Sequence, residues 1–72
     1  MKIFNDIANE FRRAIVDRTN LLADGSVNWD FVEADVLISV GIDNVLEEMG
    51  SITEFYSYFN ELVELQLSLE VA

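Results

Sequence analysis

The sequence contains no cysteine, no histidine and no proline, and only four basic residues. Without cysteine there is no disulfide to staple a small fold, no reactive thiolate and no zinc–thiolate site. Without histidine, the usual general base and the commonest transition-metal ligand are missing. No apolar run exceeds three residues, as in Val36-Leu37-Ile38, against the roughly 18 that a membrane span needs. The opening stretch Met1-Lys2-Ile3-Phe4-Asn5-Asp6 is broken by polar side chains and forms no signal-peptide core. A cytoplasmic location away from membranes is therefore expected. No Gly-x-Ser-x-Gly, P-loop or dinucleotide fingerprint occurs, so neither catalysis nor a cofactor is expected.

What is present is apolar and acidic. The chain has 72 residues, 51% of them hydrophobic, and carries 14 acids against 4 bases, a formal charge of −10. That length allows one domain, residues 1–72. A folded monomer of this mass exposes about 4,500 Å² and buries only about 60% of its unfolded surface, so its core is marginal. Lys2, Arg12, Arg13 and Arg18 all lie in the first 18 residues; from Thr19 onward there are eleven acids and no base. Such a surface repels phosphate and anionic lipid, so direct nucleic-acid binding is disfavoured. Two readings remain: a surface that merely keeps the chain soluble, or an acidic face for a basic protein partner.

Apolar spacing predicts an all-α fold of three helices, either a bundle or a helical hairpin plus an N-terminal helix. The first covers about 3–22, with Ile3, Phe4, Ile7, Ala8, Phe11, Ala14, Ile15, Leu21 and Leu22 on one stripe. Asp24-Gly25 marks a tight turn. The second helix, about 28–49, starts at an Asn28 N-cap, with Val27 and Val32 spaced as a hydrophobic staple. Its main stripe is read as Phe31, Ala34, Ile38, Ile42, Val45, Leu46 and Met49, with Trp29, Val32, Val36 and Val40 on a second flank. Asp35 falls in the main stripe and is paired by pattern with Arg18. Gly41 is a weak point that could end the helix, kink it or admit a close neighbour.

Gly50 and the capping box Ser51-Ile52-Thr53-Glu54 separate the second helix from a third, about 52–67. Ile52, Phe55, Phe59, Leu62 and Leu69 follow helical spacing, and Tyr56, Tyr58, Val63, Leu65, Leu67 and Val71 widen the apolar coverage past one stripe. Val63 to Val71 also alternates strictly, a strand signal that lacks a second strand to pair with. So much apolar surface calls for cover, which predicts a homodimer through Phe55, Tyr58, Phe59, Leu62 and Leu65; a looser monomer is the alternative. Trp29 and Tyr56 are further candidate anchors, with Glu47, Glu48, Glu54 and Glu61 as an acidic rim. Paired acids such as Glu47-Glu48 or Glu61 with Glu64 lack the histidines that a di-metal bundle uses.

Asp24-Gly25-Ser26-Val27 resembles the second half of an EF-hand calcium loop. The first, third and twelfth positions of that loop would fall on Asn20, Leu22 and Phe31, so the ligand set is broken and no metal is expected. The chain as a whole, and the segment from Asp24 to Asp35 in particular, resembles the short, acidic, helical accessory proteins of marine bacteriophages. That resemblance implies a small modulator or inhibitor of a host protein, acting in the host cytoplasm. The expected function is non-enzymatic protein binding through an apolar helix face with an acidic rim. A DNA mimic that blocks a nucleic-acid-binding enzyme and a self-assembling structural protein are the alternatives.

Overall fold

The computed structural model describes residues 2–71, with side chains as far as Glu70. Four helices follow in order, α1 (Lys2–Ala14), α2 (Trp29–Val40), α3 (Ile42–Met49) and α4 (Ile52–Val71), with a 3-10 turn at Arg18–Asn20 between the first two. The all-α expectation holds. Among the described residues, the one extended pairing is an isolated antiparallel bridge between Leu21 and Val27. The alternating tail is helical through Val71, whose side chain lies outside the described residues.

Two helix boundaries differ from the apolar pattern. The first helix stops at Ala14, because the polar residues beyond it hydrogen-bond locally instead of continuing the ladder. The Asp17 carboxylate accepts from the Thr19 N–H at 3.0 Å and from its hydroxyl at 2.8 Å. Asn20 turns inward and donates from Nδ2 at 3.0 Å to the Ala14 carbonyl, which also accepts from Asp17 N–H at 3.2 Å, so both bonds close off the end of α1. The bridge and the Asp24-Gly25 turn then reverse the chain, with Leu22 N–H donating to the Ser26 carbonyl at 2.7 Å.

The second difference is at Gly41, which divides the expected second helix. Its φ of +100° lies in a region that L side chains rarely adopt. Gly41 N–H makes the last bond of α2 to the Leu37 carbonyl at 2.9 Å, and the Gly41 carbonyl takes the first bond of α3 from Val45 N–H at 3.1 Å. A Cβ at Gly41 would stand 3.2 Å from Asn44 Nδ2, which is engaged with the Val40 carbonyl at 2.9 Å. The other signals act as the residues suggest. Asn28 Oδ1 caps α2 by accepting from Phe31 N–H at 3.3 Å, α3 ends at Gly50, and Ser51 Oγ accepts from Glu54 N–H at 3.2 Å to open α4.

The core is small. Ile3, Ile7, Phe11 and Ala14 come from α1, Val32 and Val36 from α2, Val45 from α3, and Phe55 and Phe59 from α4. A line of rings joins them: Trp29 stacks on Phe11 at 6.0 Å, Phe11 meets Phe59 edge-on at 5.5 Å, and Phe59 lies 6.0 Å from Phe55. Such pairs add roughly 0.5–1.5 kcal/mol beyond area burial. At the other end of α1, Phe4 meets Tyr58 edge-on at 4.8 Å.

Two substitutions test this arrangement by urea denaturation. Phe59→Ala is expected to cost about 3–5 kcal/mol, a large share of the roughly 4–11 kcal/mol available to a chain of this size. A loss below about 1 kcal/mol would place that ring on the surface instead. Gly41→Ala is expected to cost more than about 1 kcal/mol, because alanine cannot hold the positive φ. Unchanged or raised stability would mean that α2 and α3 fuse into one helix without penalty.

Candidate functional site

The core uses one face of α2 and leaves the opposite face bare. Val32 and Val36 are fully buried, whereas Phe31 is 58% and Ile38 74% exposed. At about 100° per residue, Phe31, Ala34 and Ile38 form a stripe on the far side of the helix from the two valines. This inverts the sequence reading, in which that stripe faced the core and the valines lay on a flank. Both faces of α2 are apolar, so spacing alone could not choose between them.

A polar cluster makes the choice. Asp35 accepts from Arg13 at 2.9 Å, from Asn20 Nδ2 at 2.8 Å and from the Ser39 hydroxyl at 3.2 Å. Arg13 also meets Glu10 at 2.8 Å and Asp17 at 3.7 Å. The partner of Asp35 is thus Arg13, not Arg18. Because α1 ends at Ala14, Arg18 sits in the 3-10 turn rather than on the α1 face that meets α2. Of the other carboxylates around Arg13, Glu10 shares α1 with it, whereas Asp17 lies just beyond the end of that helix. Asn20 is the buried polar side chain of this core, and both its contacts tie the end of α1 to α2. Exposed Asp30 lies along one border of the Phe31–Ala34–Ile38 stripe, with half-buried Glu33 beyond it, and Asp35, paired with Arg13, lies along the other, so the Asp30 side is the acidic border.

On α4 the expected contact residues separate into two groups. Phe55 and Phe59 are 0% and 2% exposed, filling the chain's own core, so neither can serve as a contact face. Tyr58 is half-buried, its ring on Phe4 and its hydroxyl donating to the Phe4 carbonyl at 3.4 Å. Leu62 is half-buried, Tyr56 is partly exposed beside Phe55, and Leu65 is open at 61%. Leu69 continues the Phe55–Phe59–Leu62 line yet is 65% exposed, because α4 runs beyond its covering partners. Ala8, Phe11, Arg12, Leu62, Leu65, Gln66 and Leu69 line a shallow groove of about 140 Å³ between α1 and α4. Arg12 donates to the Asn9 carboxamide and, among the described residues, pairs with no carboxylate. Trp29 lies elsewhere: stacked on Phe11, it borders a depression with Val27, Leu67 and Glu70. Glu47 and Glu48 on α3 and Glu54 and Glu61 on α4 are exposed but belong to different helices. The sequence reading passed over the exposure of Phe31, Ile38 and Leu69; the presence of two apolar faces on α2 was the one available signal.

The EF-hand-like segment is a turn in this fold. Asp24 accepts from the Ser26 N–H at 3.0 Å and from its hydroxyl at 2.6 Å. Asn20, the residue at the first loop position, points inward to Ala14 and Asp35. Among the described residues, no group of three or more acidic, histidine or cysteine side chains is placed to hold a metal ion, and no helix is long and apolar enough to cross a membrane.

The acids make stability depend on pH in two opposed ways. Hydrogen bonds from Arg13 and then Asn20 hold Asp35 below its usual range, and the bonds from Thr19 and Ser26 do the same for Asp17 and Asp24. These groups bind protons less readily folded than unfolded. Their contribution is present above about pH 4 and is lost as pH falls through the folded values. Burial, aided by Asp30, pushes Glu33 up, so its ionised form costs stability until it is protonated. The net charge of −10 adds self-repulsion at neutral pH. The thermal midpoint is therefore expected to be higher near pH 5 than at pH 7 or pH 3, with Asp35→Asn flattening the acid limb. A steady fall from pH 7 to pH 3 would contradict this balance.

The chain matches no protein-family model, and neither a curated protein nor a solved structure is significantly similar to it.

Proposed function

We propose that this chain is a small non-enzymatic binding module that docks on another protein through the outer face of α2. The observation that carries the reading is the exposure of Phe31, Ala34 and Ile38 opposite the buried Val32 and Val36, on a helix whose rotation Asp35 fixes. An apolar stripe already held in one orientation loses little freedom when it is covered, which favours binding. The acidic border selects the partner: an apolar patch ringed by lysine or arginine complements it, whereas an acidic ring is repelled. A host-cell protein is the partner class in keeping with the resemblance to small phage proteins. The absence of histidine and cysteine favours binding over catalysis.

The test is affinity capture with the wild-type chain and with Phe31→Ser/Ile38→Ser, run in parallel at about 0.05 and 0.5 M salt. A partner held by the wild type is expected to fall at least tenfold with the double variant, and to change far less with salt than a contact built on phosphate mimicry. Equal recovery by the double variant, or recovery by the wild type no higher than the variant's background, would overturn the proposal.

A further inference from the structure

The groove between α1 and the far end of α4 differs in charge from the rest of the molecule, and that difference names its occupant. Its apolar part is Leu62, Leu65 and Leu69 against Ala8 and Phe11, and its polar edge is Arg12. Three of the four cations are accounted for otherwise. Arg13 is shared among Glu10, Asp17 and Asp35, Lys2 borders a separate hollow with Asp6, Asn44 and Glu48, and Arg18 lies in the 3-10 turn. Arg12 is the cation set beside exposed leucines, so the groove suits a leucine-bearing helix that also carries carboxylates. The chain owns such a helix. On α4, Leu65 and Leu69 stand one turn apart, with Glu61 one turn before Leu65 and Glu64 next to it.

We infer that a second copy of this chain covers the groove, α4 packing on α4 about a two-fold axis, with Arg12 of each protomer meeting α4 carboxylates of its partner. An isologous contact of this kind is self-complementary by construction: one leucine ridge lies beside the other, and each arginine faces an acidic helix. The seven side chains that line the groove are far fewer than the roughly 20–30 residues per side of a standard interface. The dimer is therefore a reversible, concentration-dependent one. The outer face of α2 takes no part in it, so this inference stands apart from the proposed docking surface.

Sedimentation equilibrium of the full chain from about 5 to 500 µM tests it, with circular dichroism as a check on folding. The mass is expected to rise from 8.2 kDa toward twice that value with concentration. Leu65→Glu/Leu69→Glu is expected to stay at the monomer mass with helicity unchanged, Arg12→Glu to weaken association at least tenfold, and Phe31→Ser/Ile38→Ser to leave it intact. If the leucine variant loses helicity, the exposed Arg12→Glu substitution decides alone. A wild type that stays monomeric at every concentration, a dimer indifferent to Arg12→Glu, or a dimer lost only with the α2 variant would each overturn the inference.

Discussion

The carboxylate of Asp35 accepts from Arg13, Asn20 and Ser39, and with those partners α2 has one rotation about its own axis. A helix that is apolar on two opposite faces has no strong preference of its own for which of them turns inward. In α2, Val32 and Val36 compete with Phe31, Ala34 and Ile38 for the interior. The larger set would bury more area, but turning it inward would pull Asp35 away from Arg13 and leave the Asn20 amide with one partner fewer. Each hydrogen bond lost in this way costs roughly 0.5–1.5 kcal/mol, of the same order as the difference in burial between the two faces. The polar cluster thus decides what the hydrophobic effect leaves nearly balanced, and the stripe on the outside is the consequence.

Size explains why a second apolar surface remains as well. The chain exposes 4826 Å², somewhat above the roughly 4,500 Å² typical of its mass. Nine residues fill the core, and among the described residues ten large hydrophobic side chains are left exposed. With 51% hydrophobic residues in 72 positions, each helix can hide one narrow face and no more. On α4 the excess gathers at the far end, where Leu65 and Leu69 edge the groove beside α1 and stay largely exposed. The two surfaces differ in border charge, acidic beside the α2 stripe and mixed at the groove, where Arg12 faces the same leucines that Glu61 and Glu64 flank on α4, and such differences select different partners.

Helix starts and turns were legible in the sequence because each rests on a local interaction. Asn28 caps its own helix, Ser51 reaches Glu54 three residues on, and Asp24 binds Ser26 within a turn. What escaped depends on distant partners. Leu21 and Leu22 extend the stripe of α1 on paper, but Asn20 has to turn inward toward Asp35, and that requirement ends the helix early. Gly41 breaks one apolar run into two helices because its backbone adopts a conformation closed to its neighbours. Phe55 and Phe59 look like an interface when α4 is read alone; only with α1 beside them do they become the centre of the core. The alternation from Val63 onward carried no weight, since a strand without a partner strand leaves its backbone unpaired and a helix does not. The shape of the molecule was therefore largely readable from local rules. The proposed docking surface was not, because it is the face of α2 that the core leaves uncovered.

The rotation of α2 can be measured directly. In methyl-labelled protein, a soluble paramagnetic agent broadens resonances in proportion to their exposure. This account predicts strong broadening of the Ile38 methyl groups and little at Val32 and Val36. Protected Ile38 methyl groups beside broadened valines would show α2 turned the other way, with the stripe inside and the docking face gone.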